Sequence, residues 1–138
     1  MRPHNWQSLL SEAIEAARAK PFEYGRFDCM LFCADTLQAI TGIDYAAPVR
    51  GYSTFEEAAQ IIARYGGKEQ LITALLGSDS LHISRARRGD VVLATLKTVD
   101  DGVSDCAGIC LGHLSVFPKD VGLQMQSTLA ARLAWRVD

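Results

Sequence analysis

The sequence has 138 residues, of which 49% are hydrophobic, and a formal net charge of −2 from 14 basic and 16 acidic side chains. This length suits a single domain, residues 1–138, with a core of its own. The near balance of charge excludes the strong basic excess that nucleic acid or an anionic membrane normally requires. The basic run Arg85-Ala86-Arg87-Arg88 is therefore better explained as a solvated loop than as a binding patch.

The sequence also indicates in which cell compartment the protein is made. No stretch approaches the roughly 18 apolar residues of a membrane span, and the first six residues lack the basic head and apolar run of a signal peptide. We therefore expect synthesis in the cytoplasm without a signal peptide and no membrane insertion. In that compartment the four cysteines are expected to be reduced, not disulfide-bonded.

The first half of the chain has the apolar spacing of amphipathic helices. Pro21 stops the first helix, Gly42 and Gly77 follow the second and fourth, and Ser53 or Thr54 caps the third. The second helix is nearly apolar all round, so we expect it to be central. The four predicted helices cover residues 5–20, 28–41, 53–65 and 68–76.

The second half has the pattern of strands. A turn is predicted at Asp100-Asp101-Gly102, between the first two strands. Helices first and strands second indicate an α+β fold, with an antiparallel sheet packed against the N-terminal helices. The predicted strands cover residues 90–96, 105–112, 114–117, 122–126 and 133–137.

One stretch carries most of the possible chemistry. An aromatic-rich loop, residues 22–27, leads into Asp28 and Cys29, which opens the second helix. The helix N-terminus favours a thiolate there, so Cys29 is a candidate nucleophile. The alternative is an ordinary core helix that contains two cysteines, Cys29 and Cys33, because free cysteine is often buried.

The four cysteines form two pairs with the same spacing, Cys29/Cys33 and Cys106/Cys110. Four residues span about 6 Å on a helix but about 13 Å on a strand. Two strand thiolates that far apart cannot reach one ion with Zn–S bonds near 2.3 Å. We therefore expect no metal site and no cofactor.

The predicted second strand has one face of unusually small side chains: Cys106, Gly108, Cys110 and Gly112. Such a face suggests that a helix end or a substrate comes close to it. If that helix end carries Cys29, then Cys29 and Cys106 face each other. A thiol redox protein is therefore one of the alternatives.

The order of these motifs resembles a known family. The chain contains, in order, PFEYGRFDC, FCADTLQAITGID, RRGDVVL, AGICLG and AWRV. Together they resemble the NlpC-type cell-wall cysteine peptidases of papain-like fold, and most of all the short phage and prophage proteins often found among tail-tip genes. The resemblance extends along the whole chain and implies a papain-like, NlpC-type fold.

The resemblance implies a site as well. In the peptidases the cysteine of the Asp-Cys motif is the nucleophile, which corresponds to Cys29 after Asp28 in this sequence. A histidine two residues before the glycine of the Gly-Ile-x-Leu-Gly strand is the general base. Here that glycine is Gly108, and Cys106 occupies the place of the base. The cleft is expected where Tyr24, Asp28, Cys29 and the stretch from Cys106 to Gly108 converge.

The base position is where this sequence departs from the family. Phe22 also occupies a place where a tyrosine is usual. A thiol at Cys106 is a poor substitute for imidazole, since its pKa is about 8.5 against about 6.5 and its neutral form is a weak acceptor. Of the remaining histidines, His4, His82 and His113, the last could in principle approach Cys29, although it lies roughly 20 Å along an extended strand from the base position.

Three functions follow as hypotheses. The first is a phage or prophage tail-tip or tail-assembly protein whose hydrolase activity is weakened or lost, made in the bacterial cytoplasm and carried in the virion. Its partners would be other tail-tip proteins, with peptidoglycan as a further candidate. The second is an active peptidoglycan endopeptidase with Cys29 as nucleophile. The third is the thiol redox protein that uses Cys29 and Cys106.

Overall fold

The computed structural model describes residues 2–97 and 102–138 and has the predicted α+β architecture. The helices come first: α1 is Trp6–Ala17, α2 is Cys29–Thr41, α3 is Phe55–Tyr65 and α4 is Lys68–Leu76. The strands follow: β1 is Leu81–His82, β2 is Val91–Lys97, β3 is Val103–Cys110, β4 is Leu114–Pro118, β5 is Leu123–Ser127 and β6 is Leu133–Trp135. Within these residues, no helix is long and apolar enough to cross a membrane.

The six strands form one sheet in the order β1-β6-β2-β3-β4-β5, and all neighbouring pairs are antiparallel. The β2–β3 ladder extends over the whole of β2. In contrast, β3 is paired to β4 only at Ile109 with Val116 and at Cys110 with Ser115. The earlier part of β3, which contains Cys106, therefore lies beyond the end of the β4 ladder and is open to another element.

Helix α2 occupies the centre, as predicted. Its residues Leu37 and Ile40 are almost completely buried, between α1 and one face of the sheet. On that sheet face, Leu93 and Ile109 pack against the helices. An amphipathic helix on one side and strand side chains on the other thus bury α2, which explains why its sequence has no polar stripe.

Three elements end before the residue that was predicted as their end. Helix α1 ends at Ala17, before residue 20. The amide of the next residue, Arg18, donates to the carbonyl of Glu15, three residues back, which forms a tighter turn than an α-helix. Strand β3 ends at Cys110, since Gly112 has a φ of +123° that no strand adopts. Strand β6 ends at Trp135, and the amide of Val137 donates to the carboxylate of Asp90.

Two further features concern the strands. The two-residue strand β1, which pairs with β6, was not predicted, because two residues are too few to show an alternating pattern. The turn predicted at Asp100-Asp101-Gly102 lies mostly outside the described residues.

Candidate active site

The start of α2 is held by the carboxylate of Asp28. Its Oδ1 accepts from the amide of Leu31 at 2.8 Å, which caps the helix. Its Oδ2 accepts from the amide of Gly25 at 3.0 Å and from the hydroxyl of Tyr52 at 2.5 Å. Both oxygens of this 4% exposed carboxylate are therefore occupied, and they fix the position of Cys29, the first residue of α2.

Tyr52 was missed by the sequence analysis. Burial, and then its hydrogen bond to the Asp28 carboxylate, raise the pKa of the Tyr52 phenol far above its ordinary value, so it remains a donor. Its carbonyl oxygen also lies so close to Gly25 that a Cβ there would be only 2.0 Å away, and Gly25 has a φ of +86°. Nothing in the local sequence signals this contact, because it joins two loops 27 residues apart.

Cys29 is bonded to Cys106 by a disulfide. The two Cα atoms are 5.9 Å apart, inside the usual range for disulfides, although 77 positions separate them in the sequence. Cys106 is 8% exposed, in the part of β3 that β4 leaves open, and the start of α2 reaches it there. The prediction that α2 begins opposite Cys106 is confirmed. The expectation that all cysteines are reduced is wrong for this pair, because its proximity is a long-range contact that sequence spacing does not show.

The other two cysteines are free and buried. Burial, followed by the nearby negative charge of Asp28, raises the pKa of the Cys33 thiol well above its usual range. The sulfur of Cys110 accepts from the amide of Gly112 at 3.4 Å and lies 3.9 Å from the hydroxyl of Thr128. Cys33 packs with the helices and Cys110 on the opposite face of the sheet, so both behave as core side chains.

The small face of β3 has two different neighbours. At Cys106 the neighbour is a helix end, as expected. At Gly108 it is the ring of Phe117, which would lie 2.4 Å from an added Cβ, with the carbonyl of Val116 at 2.5 Å. The glycine thus accommodates packing within the sheet, not a substrate, and Gly108 does not line the cleft.

A cavity of about 1040 Å³ opens beside the start of α2. The structure brings four of the residues singled out in the sequence to its wall: Tyr24, Asp28, Cys29 and Cys106. Phe22 lines it as well. Both cysteines of the disulfide therefore lie at the wall of the cleft.

None of the three histidines, all of which the structure describes, lines this cavity. His82 is exposed, and its Nδ1 accepts from the amide of Ser84 at 3.1 Å. His113 is exposed in the β3–β4 connection, where its carbonyl accepts from the amide of Thr128 at 2.9 Å. His4 is exposed just before α1. The cavity thus offers Cys29 no imidazole as a base.

Three aromatic side chains form a group at the cavity wall. The ring of Tyr24 makes edge-to-face contacts with Phe22 at 5.0 Å and Phe55 at 5.6 Å between centroids. Phe55, at the start of α3, is 57% exposed, and all three line the cavity. Tyr24 is therefore a wall residue of the cleft, next to the loop that carries Gly25 and Asp28.

The fold and site define a class: an α+β domain in which a cysteine at the start of a central helix is paired with a strand cysteine, at the wall of a largely apolar cavity. Comparison with family models gives a match over residues 1–137 to a family described as a domain of unknown function, DUF6950, and the chain belongs to this family. No curated protein matches the chain.

Proposed function

We propose that this protein has a papain-like, NlpC-type fold with weakened or lost hydrolase activity, and that it serves as a tail-tip or tail-assembly component of a phage or prophage. The observation that supports the first part is the bond between Cys29 and Cys106, because the sequence resemblance implies that Cys106 occupies the position of the general base. The tail role is supported by the sequence resemblance described above.

The chemistry of the site supports the proposal that hydrolase activity is weakened or lost. A cysteine hydrolase needs a free thiolate and a group that takes up and returns a proton. The disulfide removes the Cys29 thiol, and after reduction its nearest sulfur neighbour, Cys106, is a weak acceptor. Asp28 cannot replace the base, because its two oxygens are held by Leu31, Gly25 and Tyr52.

Digestion of purified peptidoglycan by reduced protein tests the loss of activity. We expect no cleavage by the wild type or by Cys29→Ala. Cleavage by the wild type that Cys29→Ala abolishes would establish the alternative, an active peptidoglycan endopeptidase. Cys106→His supplies an imidazole at the base position, and we expect this variant to gain cleavage that the double variant Cys29→Ala/Cys106→His lacks.

The tail role needs a separate experiment. Particles purified from cells that carry the gene should contain the protein by mass spectrometry, and deletion of the gene should give particles with defective tails. Complementation with Cys29→Ala should restore the tails, because the proposed role is not catalytic. Normal, infectious particles without the protein would contradict this role.

The disulfide itself favours a second candidate, a thiol redox protein. Reduced Cys29 would attack a substrate disulfide, releasing one thiol, and Cys106 would then displace the second thiol and close the Cys29–Cys106 bond. The substrate gains two electrons and the protein loses them. Cys29 is the more exposed of the two and lies at a helix N-terminus, which suits the attacking sulfur.

Stoichiometric reduction of oxidised glutathione by the reduced protein tests this candidate. The expected products are two molecules of glutathione and a protein with the Cys29–Cys106 link, identified by peptide mass spectrometry. Cys106→Ser should stop at a mixed disulfide on Cys29, while Cys33→Ser should react as the wild type does. Failure of the link to form under mild oxidation would dismiss the redox role.

A further inference from the structure

The cavity contains a feature that neither a peptidase nor a tail role explains. Beyond the disulfide, aliphatic side chains from α3, α4 and β2 form one part of its wall. Five of these are only half-buried, although such side chains are normally covered in a core. They are Ile62, Ile72, Leu75, Leu76 and Leu96.

A half-buried cation lies among them. Lys68, the first residue of α4, lines the same cavity and is half-buried. Its ammonium donates to two uncharged acceptors, the hydroxyl of Ser104 at 2.8 Å and the carbonyl of Asp105 at 2.5 Å. The carboxylate of Asp105 instead binds Thr95 and Arg132, at 2.8 and 2.7 Å.

The charge of Lys68 is therefore only partly balanced. Within residues 2–97 and 102–138, no carboxylate lies within ion-pair distance of its ammonium. Burial lowers the pKa of Lys68, and the more distant charge of Asp105 opposes that shift. A half-buried ammonium with one proton left over is stabilised by an anionic acceptor, and a carboxylate forms the stronger, charge-assisted bond.

We propose that this cavity binds an aliphatic carboxylate, with the chain against the walls of α3, α4 and β2 and the carboxylate on Lys68. Its volume, about 1040 Å³, is at the upper end of the range for small-molecule sites. Lys97 and Lys119 also line the cavity but are exposed, so the half-buried ammonium of Lys68 is the cation that lies beside the aliphatic side chains. This pairing matches a ligand with one anionic group and a long apolar chain. This inference goes beyond the proposed function and does not depend on it, since it requires neither a free Cys29 nor a tail.

Isothermal titration of the full chain with decanoate, compared with decan-1-ol, tests the site. We expect saturable binding of one decanoate per chain, about tenfold tighter than binding of the alcohol, as one charge-assisted bond of about 1.4 kcal/mol would give. Lys68→Met should lower decanoate affinity to that of the alcohol and leave the alcohol unaffected. No saturable binding by the wild type, or equal decanoate affinity in Lys68→Met, would overturn the proposal.

A matched pair of variants locates the ligand. Ala63 on α3 is exposed and lines the cavity, so Ala63→Trp should fill the cavity and lower the affinity for both ligands at least tenfold. Ala74 on α4 is equally exposed but does not line the cavity, so Ala74→Trp should bind as the wild type does. Equal losses of affinity in the two variants would contradict the proposal that the ligand binds in this cavity.

Two controls complete the experiment. If circular dichroism shows that Ala63→Trp does not fold, Ala59→Leu replaces it, since Ala59 lines the same wall, and the same loss of affinity is expected. Sedimentation of the free wild type should show a monomer. A dimer that Ala63→Trp dissociates would mean that a second copy of the chain occupies the cavity, and would also overturn the proposal.

Discussion

Asp28 shows how one buried side chain can organise a site through its hydrogen bonds. A buried carboxylate is tolerated only when its oxygens are hydrogen-bonded, and Asp28 has three donors. One donor comes from its own helix, one from the preceding loop and one from a distant loop. The residue that the resemblance links to catalysis therefore joins three segments in this structure.

Removing the hydroxyl of Tyr52 tests this role. Tyr52→Phe leaves a buried carboxylate with one donor fewer, and we expect the free energy of unfolding in urea to fall by about 2 kcal/mol. Tyr65→Phe, at an exposed site at the end of α3, should change it by less than about 0.5 kcal/mol. Equal effects in the two variants would contradict the role assigned to Tyr52.

The cysteines give a second prediction, made by counting thiols. The native, oxidised protein should have no thiol that reacts with Ellman's reagent, because Cys33 and Cys110 are buried and the burial of Cys33 raises its thiol pKa. Unfolding without reductant should expose these two free thiols. Unfolding after complete reduction should expose all four cysteines. Four thiols without reductant would show that the disulfide is absent.

The helices and strands show which features could be predicted from local sequence signals alone. Gly42 predicted the end of α2, because a cap acts on the residues next to it, and the helix predicted from residue 28 begins at Cys29 with Asp28 as its N-cap. Strand β1 could not be predicted, since its two residues become a strand only by pairing with β6. The packing of Phe117 at Gly108 also had no local signal, because it joins two strands. The sequence thus indicated which segments are helix or strand, but not which side chains meet.

The contact between the loop before α2 and Tyr52 can be tested with two glycine variants. Gly25 and Gly51 both have positive φ, but only Gly25 lies against another backbone, the carbonyl of Tyr52. Gly51→Ala should cost about 1 kcal/mol in unfolding free energy, for the left-handed conformation alone. Gly25→Ala should cost about 3 kcal/mol or more, because the clash with Tyr52 adds to that strain. Similar losses in both variants would show that the loop moves freely away from Tyr52.

For the whole molecule, the disulfide joins the helical half of the chain to the sheet. Its two cysteines are 77 residues apart, so the bond restricts a large part of the unfolded chain. This pairing is the part of the site that sequence reasoning could weigh only as an alternative. Cys29 was identified from its place at a helix start, but its contact with Cys106 depends on how α2 packs against β3.

Reduction should therefore destabilise the protein. For a loop of this length, the entropy of the unfolded chain predicts a loss of about 4 kcal/mol in unfolding free energy on adding reductant. The double variant Cys29→Ser/Cys106→Ser should unfold at a similarly low urea concentration and should not respond to reductant. A wild type that is equally stable with and without reductant would show that the bond contributes no stability.

The separation of the two cysteines also matters while the chain is being made. Cys29 leaves the ribosome well before Cys106, and at roughly 5–20 residues per second the 77 residues that follow Cys29, up to and including Cys106, take roughly 4–15 seconds to synthesise. During that interval α2 has no sheet to pack against and Cys29 is an unpaired thiol. The nascent chain thus passes through a stage at which Cys29 is open to small-molecule thiols and disulfides, before β3 is made and the pair can close.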